Sequence, residues 1–181
     1  MVVVLVTGAT GPALIAVDFY GGSVFQVGAV FQTVALVGFA AAYGDMYRRS
    51  DRSRVGGRTV LVAVLFGVLA ALLGISFAAL PEAVPGSAFE AHYRLAVGGF
   101  LGLTIVGVTY FFYPPGIASR RYVDDRTAGA AVVALGTGLL LEAVALLAAA
   151  PTVVVGRVLS VIGAVLYATV LGTIFSERGF S

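Results

Sequence analysis

The chain has 181 residues, of which 60% are hydrophobic and 11% charged, with a net charge of +2 and no cysteine. A water-soluble domain carries roughly 25% charged residues, so the polar surface of a soluble fold is missing. The small net charge, spread over short loops, gives no basic face for nucleic acid, and the absence of cysteine excludes disulfides and thiolate metal sites within the chain.

A helix needs about 20 apolar residues to cross roughly 30 Å of hydrocarbon. The first apolar run, 2–19, is short and contains Gly8, Gly11 and Pro12. It is predicted as a span with a weak point. Its segment Val6-Thr7-Gly8-Ala9-Thr10-Gly11-Pro12 looks like the opening of a dinucleotide-binding turn. Leu14 stands where the third glycine is needed, and no parallel sheet follows. No nucleotide is therefore expected. Five longer runs follow at 24–46, 59–80, 91–113, 127–149 and 152–175. The expected fold class is all-α, a polytopic transmembrane helical bundle forming one domain over residues 1–181. It has six spans, or five if residues 2–19 do not fully cross.

Loop charge orients these spans. Arg48, Arg49, Arg52, Arg54 and Arg58 lie in 47–58, Arg120, Arg121 and Arg126 in 114–126, and Arg178 in the tail. The opposite loops, 20–23, 81–90 and 150–151, hold no arginine. Positive loops stay on the side of synthesis, which predicts a cell-membrane protein with both termini cytoplasmic. Pro81, Pro85, Pro114, Pro115 and Pro151 punctuate the loops. The last turn is short enough to demand a tight antiparallel hairpin.

Small residues mark expected helix contacts, because lipid supplies no hydrophobic drive for helices to associate. Gly98 and Gly102 form a GxxxG in the fourth span. Gly67 and Ala71 form a similar pair in the third. Gly156, Ser160, Ala164, Ala168 and Gly172 recur every four residues in the last. Such stripes serve either packing within the chain or an interface with a second copy or another membrane subunit.

Charged side chains within spans are costly and informative. Glu142 lies nine residues before Pro151 and Arg157 six residues after it. At 1.5 Å per residue their depths from the outer turn are about 13 Å and about 9 Å, which predicts an intramembrane ion pair. The pair reads as a structural lock or as part of an ion path. A second polar group, Asp18, Glu90, His92, Tyr93 and Arg94, is expected at the outer side. There His92, the sole histidine, would share hydrogen bonds with Glu90 or Asp18.

The run Phe89-Glu90-Ala91-His92-Tyr93-Arg94-Leu95-Ala96-Val97-Gly98-Gly99-Phe100-Leu101-Gly102 continues through Ile105, Gly107, Tyr110, Phe111, Tyr113 and Pro114. It resembles a histidine-bearing helix of the haem–copper oxidase subunit I superfamily. The resemblance covers residues 89–114 and implies a haem or metal ligand at His92. A subunit I of that family has more spans and several more histidines. With one histidine, this chain could hold haem through two axial histidines only if another chain supplied the second ligand, and it cannot build a three-histidine zinc site. No nucleophile–base set is visible, so catalysis is not expected.

These readings lead to a non-catalytic accessory or assembly component in the lipid bilayer, of a respiratory oxidase-type complex by the resemblance. The alternative is a small transporter or channel using Glu142 and Arg157.

Overall fold

A computed structural model describes residues 2–18, 22–50 and 54–178. Phe19 of the first expected span, Tyr20 and Gly21 of the loop after it, and Arg52 of the first arginine loop lie outside them. The described residues form six helices and no strand: α1 (Val2–Val17), α2 (Ser23–Arg48), α3 (Val55–Ala79), α4 (88–112), α5 (Asp125–Leu147) and α6 (Val153–Arg178). Short 3₁₀ turns at Pro81–Ala83 and Pro115–Ile117 flank α4.

Helices α2 to α6 are long and apolar enough to cross a membrane, so the chain is an integral membrane protein of the helical-bundle type. Helix α1 has 16 residues, about 24 Å at 1.5 Å per residue, which falls short of a full crossing. The lipid-facing sides carry Val30, Val34 and Val37 on α2 and Val158, Val161, Ile162 and Val165 on α6, all exposed. In water such bands would be untenable; in hydrocarbon they cost nothing.

The helices stand in sequence order as antiparallel hairpins, α1 against α2 and α5 against α6, with α3 and α4 between them. One core gathers Ala63, Phe66, Ala70, Ala91, Leu95, Leu103, Leu139 and Ala143 from α3, α4 and α5. A second, toward the arginine-bearing loops, gathers Val106, Tyr110, Val123, Ala128, Val132, Val170 and Ile174. At that end Arg120 pairs with Glu177 at 3.8 Å, and Tyr113 meets Phe175 edge-on at 5.0 Å. Asp124 caps α5, accepting from the Thr127 N–H at 2.8 Å.

Glycine sets the distance between helices. Gly56 and Gly107 face each other across α3 and α4: a Cβ on either would stand 2.7 Å or 3.0 Å from the other's carbonyl oxygen. Gly138 and Gly156 do the same across α5 and α6, each at 2.7 Å from the other's oxygen. Only hydrogen side chains allow backbones so close.

The expected stripes divide. On α6, Gly156 is buried, Ser160 is half-buried, and Ala164, Ala168 and Gly172 are exposed. Four residues advance 400° around an α-helix, so a four-residue repeat drifts off any one face. The buried line runs instead through Gly156, Gly163 and Val170, the seven-residue spacing of near-parallel helices. On α4, Gly98 packs against Leu139, whereas a Cβ at Gly102 would meet only Val97 of its own helix. Gly99, not Gly102, makes the second close contact, receiving Phe66 of α3.

Candidate functional site

Helix α4 is not regular. Its first turns, Ala88–Tyr93, are α-helical, residues Arg94–Gly102 wind as a π-helix, and Leu103–Phe112 return to α. The wider turn is a rare conformation that is frequent at functional sites. It begins where the polar residues of α4 lie.

Two polar sites flank that point. The first joins α4, α5 and α6. Glu142 on α5 is 2% exposed. Its Oε1 accepts a hydrogen bond from Ser160 Oγ at 2.9 Å. Its Oε2 faces Arg94 Nε at 3.5 Å and Arg157 Nε at 3.9 Å. Glu90 closes the ring, with its Oε1 3.1 Å from Arg94 Nη2 and 3.6 Å from Arg157 Nη2. The result is a tetrad of two carboxylates and two guanidiniums with no net charge. Arg94 Nε and Glu142 Oε2 make no hydrogen bond of good geometry, so their contact is electrostatic. The expected Glu142–Arg157 pair is thus one edge of a larger network. Glu90 and Arg94, expected as a separate outer cluster, supply the rest.

Asp18 is not part of that network. Its Oδ2 accepts from the backbone N–H groups of Val24 and Phe25 at 3.1 and 3.3 Å, satisfying the open N-terminus of α2. Tyr93 is exposed.

The second site centres on His92. Its Nδ1 lies 2.9 Å from the Ala70 carbonyl oxygen of α3, and its ring meets Phe77 edge-on at 5.5 Å. The expected partners, Glu90 and Asp18, are engaged elsewhere. The imidazole turns instead to the backbone of α3. Gly74 makes room, since a Cβ at that position would stand 3.1 Å from His92 Cε1. A cavity of about 170 Å³ opens beside the ring, lined among others by Phe25, Gln32, Phe77, Phe89 and His92. Gln32 was not singled out by sequence reasoning. A glutamine inside an apolar span is itself the signal that could have found it.

An Nδ1–H bound to a carbonyl leaves Nε2 oriented as in many metal-ligating histidines. The cavity beside it matches a single ring, since an engineered cavity of about 150 Å³ takes one benzene. Among the described residues no three His, Asp or Glu side chains gather to hold a metal ion.

No family model, no curated protein and no solved structure matches this chain.

Proposed function

We propose that the protein is a non-catalytic accessory or assembly component of a membrane complex. The observation that carries this reading is the neutral tetrad. Each carboxylate at this level is held by charges of the opposite sign, Glu142 by Arg94 and Arg157 with a hydrogen bond from Ser160, and Glu90 by both arginines. A carboxylate so engaged fixes three helices in register, and a transport role would require it to exchange partners. The arginine loops support an orientation with both termini in the cytoplasm. The exposed small residues Ala164, Ala168 and Gly172 suit close approach of another membrane helix to α6. The likeness of residues 89–114 to an oxidase helix favours a respiratory oxidase-type complex as the setting.

Purification from native membranes in a mild detergent tests this. Haem-bearing respiratory subunits, identified by mass spectrometry and a reduced-minus-oxidised spectrum, are expected to accompany the chain. Ala168→Phe on the open face of α6 is expected to release them. Recovery of the chain alone would contradict the proposal, as would Glu142-dependent ion flux in liposomes.

A further inference from the structure

We propose that the cavity between the α1–α2 hairpin and the arginine-poor ends of α3 and α4 binds a membrane-soluble ring that bears a hydroxyl group. The inference stands apart from the accessory role and uses different residues.

Size and walls come first. The cavity, about 170 Å³, matches one aromatic ring. Phe25, Phe77 and Phe89 line it and offer ring faces and edges for stacking. Phe89 is 65% exposed and stands at the start of α4, which places the mouth at the outer membrane interface and gives an amphipathic molecule a way in.

Two polar groups then specify the ligand. Gln32 Oε1 is fully buried and has no hydrogen-bond partner among the described residues. Neighbouring Thr33 cannot serve it, because its hydroxyl is engaged with the Ala29 carbonyl at 2.8 Å. The second group is His92. A carbonyl only accepts, so the contact with Ala70 places the imidazole proton on Nδ1. In the neutral ring Nε2 is then a bare acceptor. Nothing among the described residues donates to it. A buried acceptor with no donor is costly, and Gln32 Oε1 is one, while His92 Nε2 is open to the cavity. Both groups lack the same thing, a donor. A phenol hydroxyl carries one proton for the two acceptors to share and a quinol carries two, whereas a quinone carbonyl or an aryl ether carries none.

The protein in lipid nanodiscs, titrated with 4-fluorophenol and followed by ¹⁹F NMR against empty nanodiscs, tests the proposal. Saturable binding is expected, with 4-fluoroanisole, which has no donor, about tenfold weaker, the worth of one hydrogen bond. Gln32→Leu keeps the volume and removes the acceptor. It is expected to weaken fluorophenol about tenfold while leaving fluorobenzene unchanged. His92→Phe is expected to act in the same direction. Displacement of fluorophenol by a quinol carrying one isoprene unit would identify a prenylated quinol as the source of the hydroxyl. Retention of fluorophenol against it would identify a free phenol. No saturable binding, fluoroanisole binding as tightly as fluorophenol, or an unchanged affinity in a folded Gln32→Leu protein would overturn the proposal.

Discussion

Arg94 Nε lies 3.5 Å from Glu142 Oε2. An arginine near the start of α4 therefore reaches the one carboxylate buried in α5. Arg157 reaches the same oxygen from α6 and Glu90 bridges the two guanidiniums, so three helices share a single electrostatic joint.

Removing the centre of that joint strands two arginines. Glu142→Gln keeps the shape and the Ser160 contact but leaves Arg94 and Arg157 with Glu90 alone. A loss of about 3 kcal/mol is expected, the lower end for breaking a buried pair. Arg157 is half-exposed and its long side chain can reach the headgroup level, so Arg157→Met is expected to cost under about 1 kcal/mol. Reversible unfolding of both variants in mixed micelles measures the contrast.

Glycine substitutions separate contact from composition. At Gly138 a Cβ would meet Ser160 N at 2.5 Å, and at Gly156 it would meet the Glu142 backbone nitrogen at 2.7 Å. Those neighbours are backbone and cannot step aside, so Gly138→Ala and Gly156→Ala are each expected to cost about 1–3 kcal/mol. At Gly172 nothing lies within 4 Å. Gly172→Ala is expected to be neutral or to stabilise by up to about 1 kcal/mol through helix propensity. Melting temperatures in one detergent rank the three.

The turn between α5 and α6 contains a residue that suits it poorly. Ala149 has φ of 50°, the left-handed region, which costs an L-residue about 1–2 kcal/mol. Gly adopts it freely but loses more chain entropy on folding. Ala149→Gly is expected to stabilise by about 0.5 kcal/mol, seen as a modest rise in Tm; a fall would mean the turn is not strained.

At the arginine-rich end the cap on α5 titrates. The hydrogen bond from the Thr127 backbone N–H, with the Thr127 hydroxyl and nearby Arg126 assisting, holds the Asp124 carboxyl below its ordinary value of 3.8. The unfolded chain then binds the proton first. The cap's stabilisation is complete above the ordinary carboxylate value and fades as pH falls through the lower folded value. Asp124→Asn keeps an oxygen to accept the N–H bond but cannot titrate. The wild-type Tm is expected to drop relative to this variant only below about pH 4, read from paired melts across acidic pH.

The spans were legible because hydrocarbon leaves little freedom: the run 59–80 became Val55–Ala79, and 127–149 became Asp125–Leu147. Apolar length and proline punctuation are local properties, and they carried over within a few residues. The tetrad was half legible. Depth arithmetic placed Glu142 and Arg157 at one level because a short turn joins their helices. The same arithmetic puts Arg94, six residues into α4, about 9 Å deep, yet nothing in the chain says that α4 lies beside α5. The small-residue stripe of α6 misled in part, since a four-residue repeat reads as one face on paper and turns around a real helix. Gln32 stands out as a polar residue in an apolar span, but its unpartnered oxygen and the π-helical stretch of α4 depend on which groups meet in space, and composition does not encode that.

A double-mutant cycle on Arg94 and Glu142 is the most direct measurement. Arg94→Met and Glu142→Leu are made singly and together, and unfolding free energies are compared. If the two side chains lock α4 to α5, each single change destabilises and the double change recovers at least about 1 kcal/mol of the sum. Strictly additive losses would mean that the contact holds nothing together, and the structural role assigned to the tetrad would fall.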